Sequence, residues 1–93
     1  MEFLHQELHL GPSDAVEVTL DNPANVQLLD PPNYERYRRG EEYHYHGGYV
    51  THSPYRIRAP HGGDWHLVID LGGNAGRVRA WSRVLRGTDL LPV

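Results

Sequence analysis

The chain has 93 residues, a 39% apolar fraction and a net charge of −3, enough for one domain with a thin core and not for two. It contains no cysteine, and all nine of its basic residues are arginine, which excludes disulfides, thiolate metal ligands, thiol nucleophiles and lysine chemistry. No apolar run approaches the roughly 18–20 residues of a membrane-spanning helix, and MEFLHQELHL lacks the basic and apolar regions of a secretion signal, so the expected location is the cytoplasm.

The dominant period along the chain is two. Residues 3–10 form a first, weaker strand candidate, followed by the turn Gly11-Pro12-Ser13-Asp14. In 15–20, Val16, Val18 and Leu20 share one face and Ala15, Glu17 and Thr19 the other. Such alternation is the mark of a half-buried strand, because successive side chains leave a strand on opposite sides. Asp21-Asn22-Pro23 is a turn, and 25–30 is a second weak strand. PPNYERYRRG breaks the period: Tyr34 and Tyr37 are three apart, Asn33 suits an N-cap and Gly40 suits the residue after a helix. One or two helical turns over 33–39 are expected to cross an end of the sheets.

Further on, Tyr55, Ile57 and Ala59 alternate with Arg56 and Arg58, and the turn 60–63 follows. Trp65, Leu67, Ile69 and Leu71 form one face of the next strand. After Gly72-Gly73-Asn74, residues 76–85 alternate Val78, Ala80, Ser82 and Val84 with Arg77, Arg79, Trp81 and Arg83. Turn signals recur at the spacing of sandwiches and barrels. The last two strands are expected to pair, with Asp70 opposite Arg77, His66 opposite Trp81 and Asp64 opposite Arg83, or with a two-residue slip that sets Asp70 against Arg79. Parity places Trp81 on the arginine face, away from the core.

Charge is uneven. Residues 1–30 hold six acids and no arginine, whereas 51–93 hold six arginines against Asp64, Asp70 and Asp89. An acidic and a basic face, or pairing between the two segments, both account for this. Without a clear basic excess, nucleic acid is a disfavoured partner.

Several stretches together resemble a known family: Phe3-Leu4-His5, Val16-x-Val18-x-Leu20, Asn25-Val26, Leu28-x-Asp30, Asn33-Tyr34, Gly47-Gly48, Ser53-Pro54, Trp65-x-x-Val68-x-Asp70-Leu71-Gly72-Gly73 and Gly76-x-Val78. The chain is similar to a bacterial family of small all-β domains catalogued as a domain of unknown function, found alone or beside TIR domains. The likeness runs to about Val84, and the tryptophan-to-glycine segment is its most specific part. It implies a compact β-sandwich and argues against an enzyme, and it assigns no site residue. His44 and His46 lie outside the family pattern.

Two constellations carry chemistry. His44 and His46, two apart, would share a side of a strand, and with His61 or His66 they offer a cupin-like site for a divalent transition metal. No glutamate follows His46 at the cupin spacing, so the plainer reading is surface histidines and no cofactor. The six tyrosines between Tyr34 and Tyr55, interleaved with Arg56, Arg58 and the helical arginines, suit a protein or small polar ligand. Packing of Tyr43, Tyr45 and Tyr55 in the core, with Tyr34 and Tyr37 seating the helix, is the competing explanation. Trp81 between Arg79 and Arg83 is the best single anchor. Ser13, Ser53 and Ser82 lack a nucleophile elbow. Asp64 and Asp70 each have an arginine to pair with, and Gly72, Gly73 and Gly76 precede a strand where a phosphate loop needs a helix.

The expected protein is therefore a single all-β domain over 1–93, with a core of about 2–86 and a tail 87–93. It is a jelly-roll-like sandwich of about seven mostly antiparallel strands. Its expected role is a non-catalytic binding or interaction module whose surface is Trp81, Arg79 and Arg83, with Tyr34, Tyr37, Arg56 and Arg58 second. The alternative is a small metal protein or metalloenzyme built on His44 and His46. Self-association through an edge strand such as 41–46 is a third route to function.

Overall fold

A computed structural model describes residues 3–87. Seven strands are present: β1 (Phe3–Leu10), β2 (Ala15–Leu20), β3 (Ala24–Leu29), β4 (His46–Val50), β5 (Tyr55–Arg58), β6 (Gly63–Asp70) and β7 (Ala80–Leu85). They form two antiparallel sheets, ordered β1-β6-β3-β4 and β5-β2-β7. The expected all-β sandwich is what the chain adopts.

The core lies between the sheets. Ala24, Val26 and Leu28 from β3 and Trp65, Leu67 and Ile69 from β6 meet Val16 and Val18 from β2 and Ile57 from β5. Gln27 and Leu29 of β3 and Val68 and Asp70 of β6, on the other face, are buried as well, because a helix, α1 (Pro31–Arg39), covers that part of the outer face of the four-stranded sheet. Tyr34 and Tyr37 bury against Leu29 and Val68 there, with Phe3 and Tyr43 alongside. The Phe3 ring meets Tyr37 edge-on at 5.1 Å, a geometry worth about 0.5–1.5 kcal/mol beyond area burial.

Three expectations are corrected. The helix lies on a sheet face rather than across an end, and it starts earlier than 33. Asp30 is the N-cap, its carboxylate accepting from the Asn33 N–H at 3.0 Å, and Pro31 and Pro32 occupy the first turn. Proline is at home there, since its missing N–H would have no partner in the helix. Gly40 ends the helix in the left-handed region, with Glu41 N–H reaching back to Arg36 O.

The last two strands do not pair. β6 lies between β1 and β3, whereas β7 joins β2 in the other sheet, with Thr19 opposite Trp81 and Glu17 opposite Arg83. Every connection except β3–α1–β4 switches sheets, so neighbours in sequence are stacked rather than hydrogen-bonded. The final strand also begins at Ala80, because 76–79 forms the crossing link, held where Arg79 and Asp21 exchange hydrogen bonds. Finally, 41–45 is irregular, so the edge at that side is β4, from His46.

β4 packs close because Gly47 permits it: a Cβ there would stand 2.1 Å from Val26 O, and its φ of +126° suits only glycine. Of the expected tail 87–93, Gly87 is anchored by its N–H to Asp14 Oδ1 at 2.7 Å, and 88–93 lie outside the described residues, as does the expected core start at 2.

Asp14 and Glu17 are buried acids that hold arginines. Gly11 N–H, Arg86 and Gly87 N–H bring the Asp14 carboxyl down to about 2. Arg83 and then Arg56 hold the Glu17 carboxyl below its usual range. Depressed folded-state values contribute stability that is complete above the unfolded carboxyl range, about pH 4, and that is lost as pH falls through the folded values. Urea midpoints should therefore fall between pH 5 and pH 2, and Asp14→Asn should flatten the lower part of that fall. An unchanged profile would show that Asp14 is not ion-paired in solution.

Candidate functional site

The sandwich is closed on one side by the short link from β4 to β5. On the other side the edges β1 and β7 face each other without backbone pairing. Side chains bridge them: Ser82 donates its hydroxyl to the Gln6 side-chain carbonyl, and Arg86 reaches His9 O at 3.4 Å. Above Ser82 the seam opens into a groove. One part, about 310 Å³, reaches down to the core residues Leu67 and Ile69 between Leu4 and Trp81. The adjoining part, about 720 Å³, runs over Leu4, Ile69, Leu71 and Val78 to Arg77 and Arg79.

Leu4 is 45% exposed and Trp81 58%. Two large apolar side chains flanking an apolar groove are the kind of surface that monomeric domains seldom leave bare. Among the described residues, Arg77 and Arg79 form no ion pair, whereas Arg56 and Arg83 both bind Glu17, at 2.9 and 2.8 Å. The groove therefore has an apolar floor, with Gln6, Ser82 and Asp70 among its lining, and two arginines at one end.

The sequence-derived binding residues thus separate. Trp81 stays exposed, on the face its parity indicated, with Arg79 near it. Arg83 and Arg56 are spent on Glu17, and Arg58 is exposed on edge strand β5. Tyr34 and Tyr37 are buried beneath α1 on the far sheet. No single tyrosine–arginine surface over 34–58 exists, because the chain changes sheets between Val50 and Tyr55. Nor do the tyrosines fill the main core: Tyr43 lies with the helix, Tyr45 is exposed, and Tyr55 alone packs against the inner cluster.

Asp70, expected to pair with an arginine, is the centre of a neutral network. Its carboxylate accepts from Tyr37 Oη at 2.6 Å, Asn25 at 2.9 Å, Gln27 at 3.1 Å and Gly72 N–H at 2.9 Å. Tyr43 Oη donates in turn to Gln27 at 2.6 Å. Burial alone would raise the Asp70 carboxyl, but Tyr37, Asn25, Gly72 and Gln27 together hold it below the usual range. The same bond acts oppositely on Tyr37, whose hydroxyl is pushed up by burial and by Asp70. A polar recess of about 360 Å³ opens beside this network, between Tyr43, Tyr45 and Gly48. Asp64, the other acid expected to find an arginine, accepts instead from His9 at 3.0 Å.

The histidines singled out as metal ligands do not converge. His44 precedes β4 and His46 begins it, so they are not two apart on one strand. His46 and His61 rest against the Trp65 ring at 5.8 and 4.9 Å, and His66 lies on the opposite face of the sheet from Trp65, bonded to His5 at 2.7 Å. Among the described residues the one group with ligand atoms within 4.8 Å of each other is His5, Glu7 and His66. Sequence reasoning passed over it, although His5, Glu7 and His9 alternate along one face of the first strand.

A family model described as Domain of unknown function (DUF1883) matches residues 1–87. No curated protein and no solved structure matches the chain.

Proposed function

The chain belongs to the DUF1883 family, a domain of unknown function, and from that premise we propose that it is a non-catalytic interaction module that grips a protein partner in the groove between β1 and β7. The single observation that carries this reading is the open seam itself: Leu4 and Trp81 exposed on either side of a groove that reaches the core residues Leu67 and Ile69. Such a surface loses apolar area to water until something covers it.

Charge selects the partner. Arg77 and Arg79 close one end of the groove without carboxylate partners of their own among the described residues, so an extended segment with apolar side chains and an acidic flank is complementary. The free edges of β1 and β7 also offer backbone groups to an added strand. Beside TIR domains, as the family resemblance suggests, such a module would report the presence of its partner.

Trp81→Ala is the test. The side chain is exposed, so thermal stability should change by less than about 0.5 kcal/mol. Binding to a panel of acidic–apolar peptides, read by fluorescence anisotropy, should weaken at least tenfold, the range of an aromatic anchor. Arg77→Glu with Arg79→Glu should weaken the same peptides and relieve the loss when the peptide flank is made basic. Equal binding by wild type and Trp81→Ala would sink the proposal.

A further inference from the structure

The outer face of the four-stranded sheet carries a second arrangement, at the end of α1 away from the Asp70 network. His5 and Glu7 are two apart on β1, so both leave the strand on that face, and Glu7 is the register partner of His66 on β6. His5 Nε2 stands 2.7 Å from His66 Nδ1. Tyr34 holds the pair in place: its ring stacks on His66 at 4.1 Å and 3° and on His5 at 4.3 Å and 14°. Its hydroxyl lies 3.2 Å from His5 Nδ1.

We propose that His5, His66 and Glu7 form a binding site for a divalent transition metal, zinc being the best match to its ligands. Two imidazole nitrogens and one carboxylate are a set that zinc takes, leaving a fourth position open. The ligand atoms already fall within 4.8 Å of one another. At zinc–nitrogen distances of about 2.0–2.1 Å in a tetrahedron, two nitrogens sit roughly 3.3 Å apart, so the rings need part by only about 0.6 Å.

The surroundings suit the role. With Nδ1–H of His5 directed at the Tyr34 hydroxyl, Nε2 carries the lone pair; it accepts from His66 Nδ1–H until a metal takes both nitrogens and the His66 proton moves to its other ring nitrogen, and Tyr34 is a positioning residue of the kind that orients ligating imidazoles. A recess of about 320 Å³ next to Glu7 and His66, lined also by Pro31, His9 and Asp64, gives the open position space for water or a ligand atom.

The test uses the full chain without a metal-binding tag, titrated with Zn²⁺ against a chromophoric competitor while histidine ¹⁵N resonances are followed. Wild type should bind one equivalent, with His5 Nε2 and His66 Nδ1 the nitrogens that shift. His5→Ala, His66→Ala and Glu7→Gln should each weaken binding at least tenfold, and all three positions are at the surface or half-buried. Tyr34→Phe should weaken it by about 10–100-fold, as loss of such a partner does elsewhere, with the amide spectrum confirming the fold. His44→Ala with His46→Ala should leave it unchanged. Stoichiometric binding that survives Glu7→Gln and His66→Ala, or that is lost with His44 and His46, overturns the assignment, as does a wild-type protein that takes up no Zn²⁺.

Discussion

Asp70→Ala is expected to remove about 3–5 kcal/mol of folding stability, the largest effect of any polar substitution in the chain. Each buried donor left without an acceptor costs about 1–3 kcal/mol, and hydrogen bonds to an ionised group lie at the upper end of the range. Four donors lose their acceptor at once: Tyr37 Oη, the side-chain amides of Asn25 and Gln27, and Gly72 N–H. They belong to α1, to β3 and to the turn after β6, so one carboxylate fastens the helix to the sheet. A domain of this size has about 5–14 kcal/mol in total, and a drop of 3–5 kcal/mol corresponds to a melting-temperature fall of roughly 12–40 °C. Asp70→Asn should cost less, since the amide keeps one accepting oxygen while presenting an NH₂ to the other donors. Amide exchange should show α1 losing protection ahead of β2 and β5. A loss under about 1 kcal/mol would mean that water entering the adjacent 360 Å³ recess replaces the carboxylate.

That network also shows what the family resemblance encodes. Trp65 packs inward, Val68 lies under the helix, Asp70 ties the helix down, and Gly72 and Gly73 turn the chain with φ of +63° and +85°. Asn25 binds Asp70, Asp30 caps α1, and Tyr34 packs beneath it. Apart from Trp65 and the two turn glycines, these residues build the outer face of one sheet and the helix on it. His5 belongs to the same stretch of resemblance and is one of the proposed metal ligands.

The strands were legible because each is half-buried and alternates, and the helix because its two tyrosines fall on one side of a turn. What a period cannot show is the partner of a strand. Asp70 and Arg77 are separated by a glycine-rich turn and carry opposite charges, which is what a hairpin looks like in sequence. Here the turn instead carries the chain across to the other sheet. Asp70 then looks for donors among neutral side chains from residues 25–37, far away in sequence. The tyrosines misled for a related reason: six of them within a short stretch span both sheets and the helix. His5 and His66 are 61 positions apart and are joined only by the β1–β6 register, so the histidine pair that was close in sequence drew attention from the pair that is close in space. Trp81 was readable because parity within one strand survives any error in pairing.

Trp65→Ala should be the most damaging apolar substitution, at about 3–5 kcal/mol, the usual cost of emptying a buried tryptophan site. Trp65 is 2% exposed, the largest of the fully enclosed side chains. It sits in β6 opposite Leu8, inside the main cluster, and its indole N–H donates to His61 O at 3.1 Å. Truncation removes the transfer energy of the ring, leaves a cavity between the sheets, and frees the carbonyl that anchors the loop before β6. The neighbours cannot all collapse into the space, because His46 and His61, the rings that edge it, are polar and face the surface. Trp65→Phe keeps most of the volume and loses the N–H, so it should cost about 1–2 kcal/mol, the sum of a partial cavity and one hydrogen bond. The two substitutions separate what the ring fills from what its N–H holds. Chemical denaturation of both, read by far-ultraviolet dichroism, measures the difference; equal losses would place the energy in the hydrogen bond to His61, and a tolerated alanine would place the core elsewhere than between Trp65 and β2.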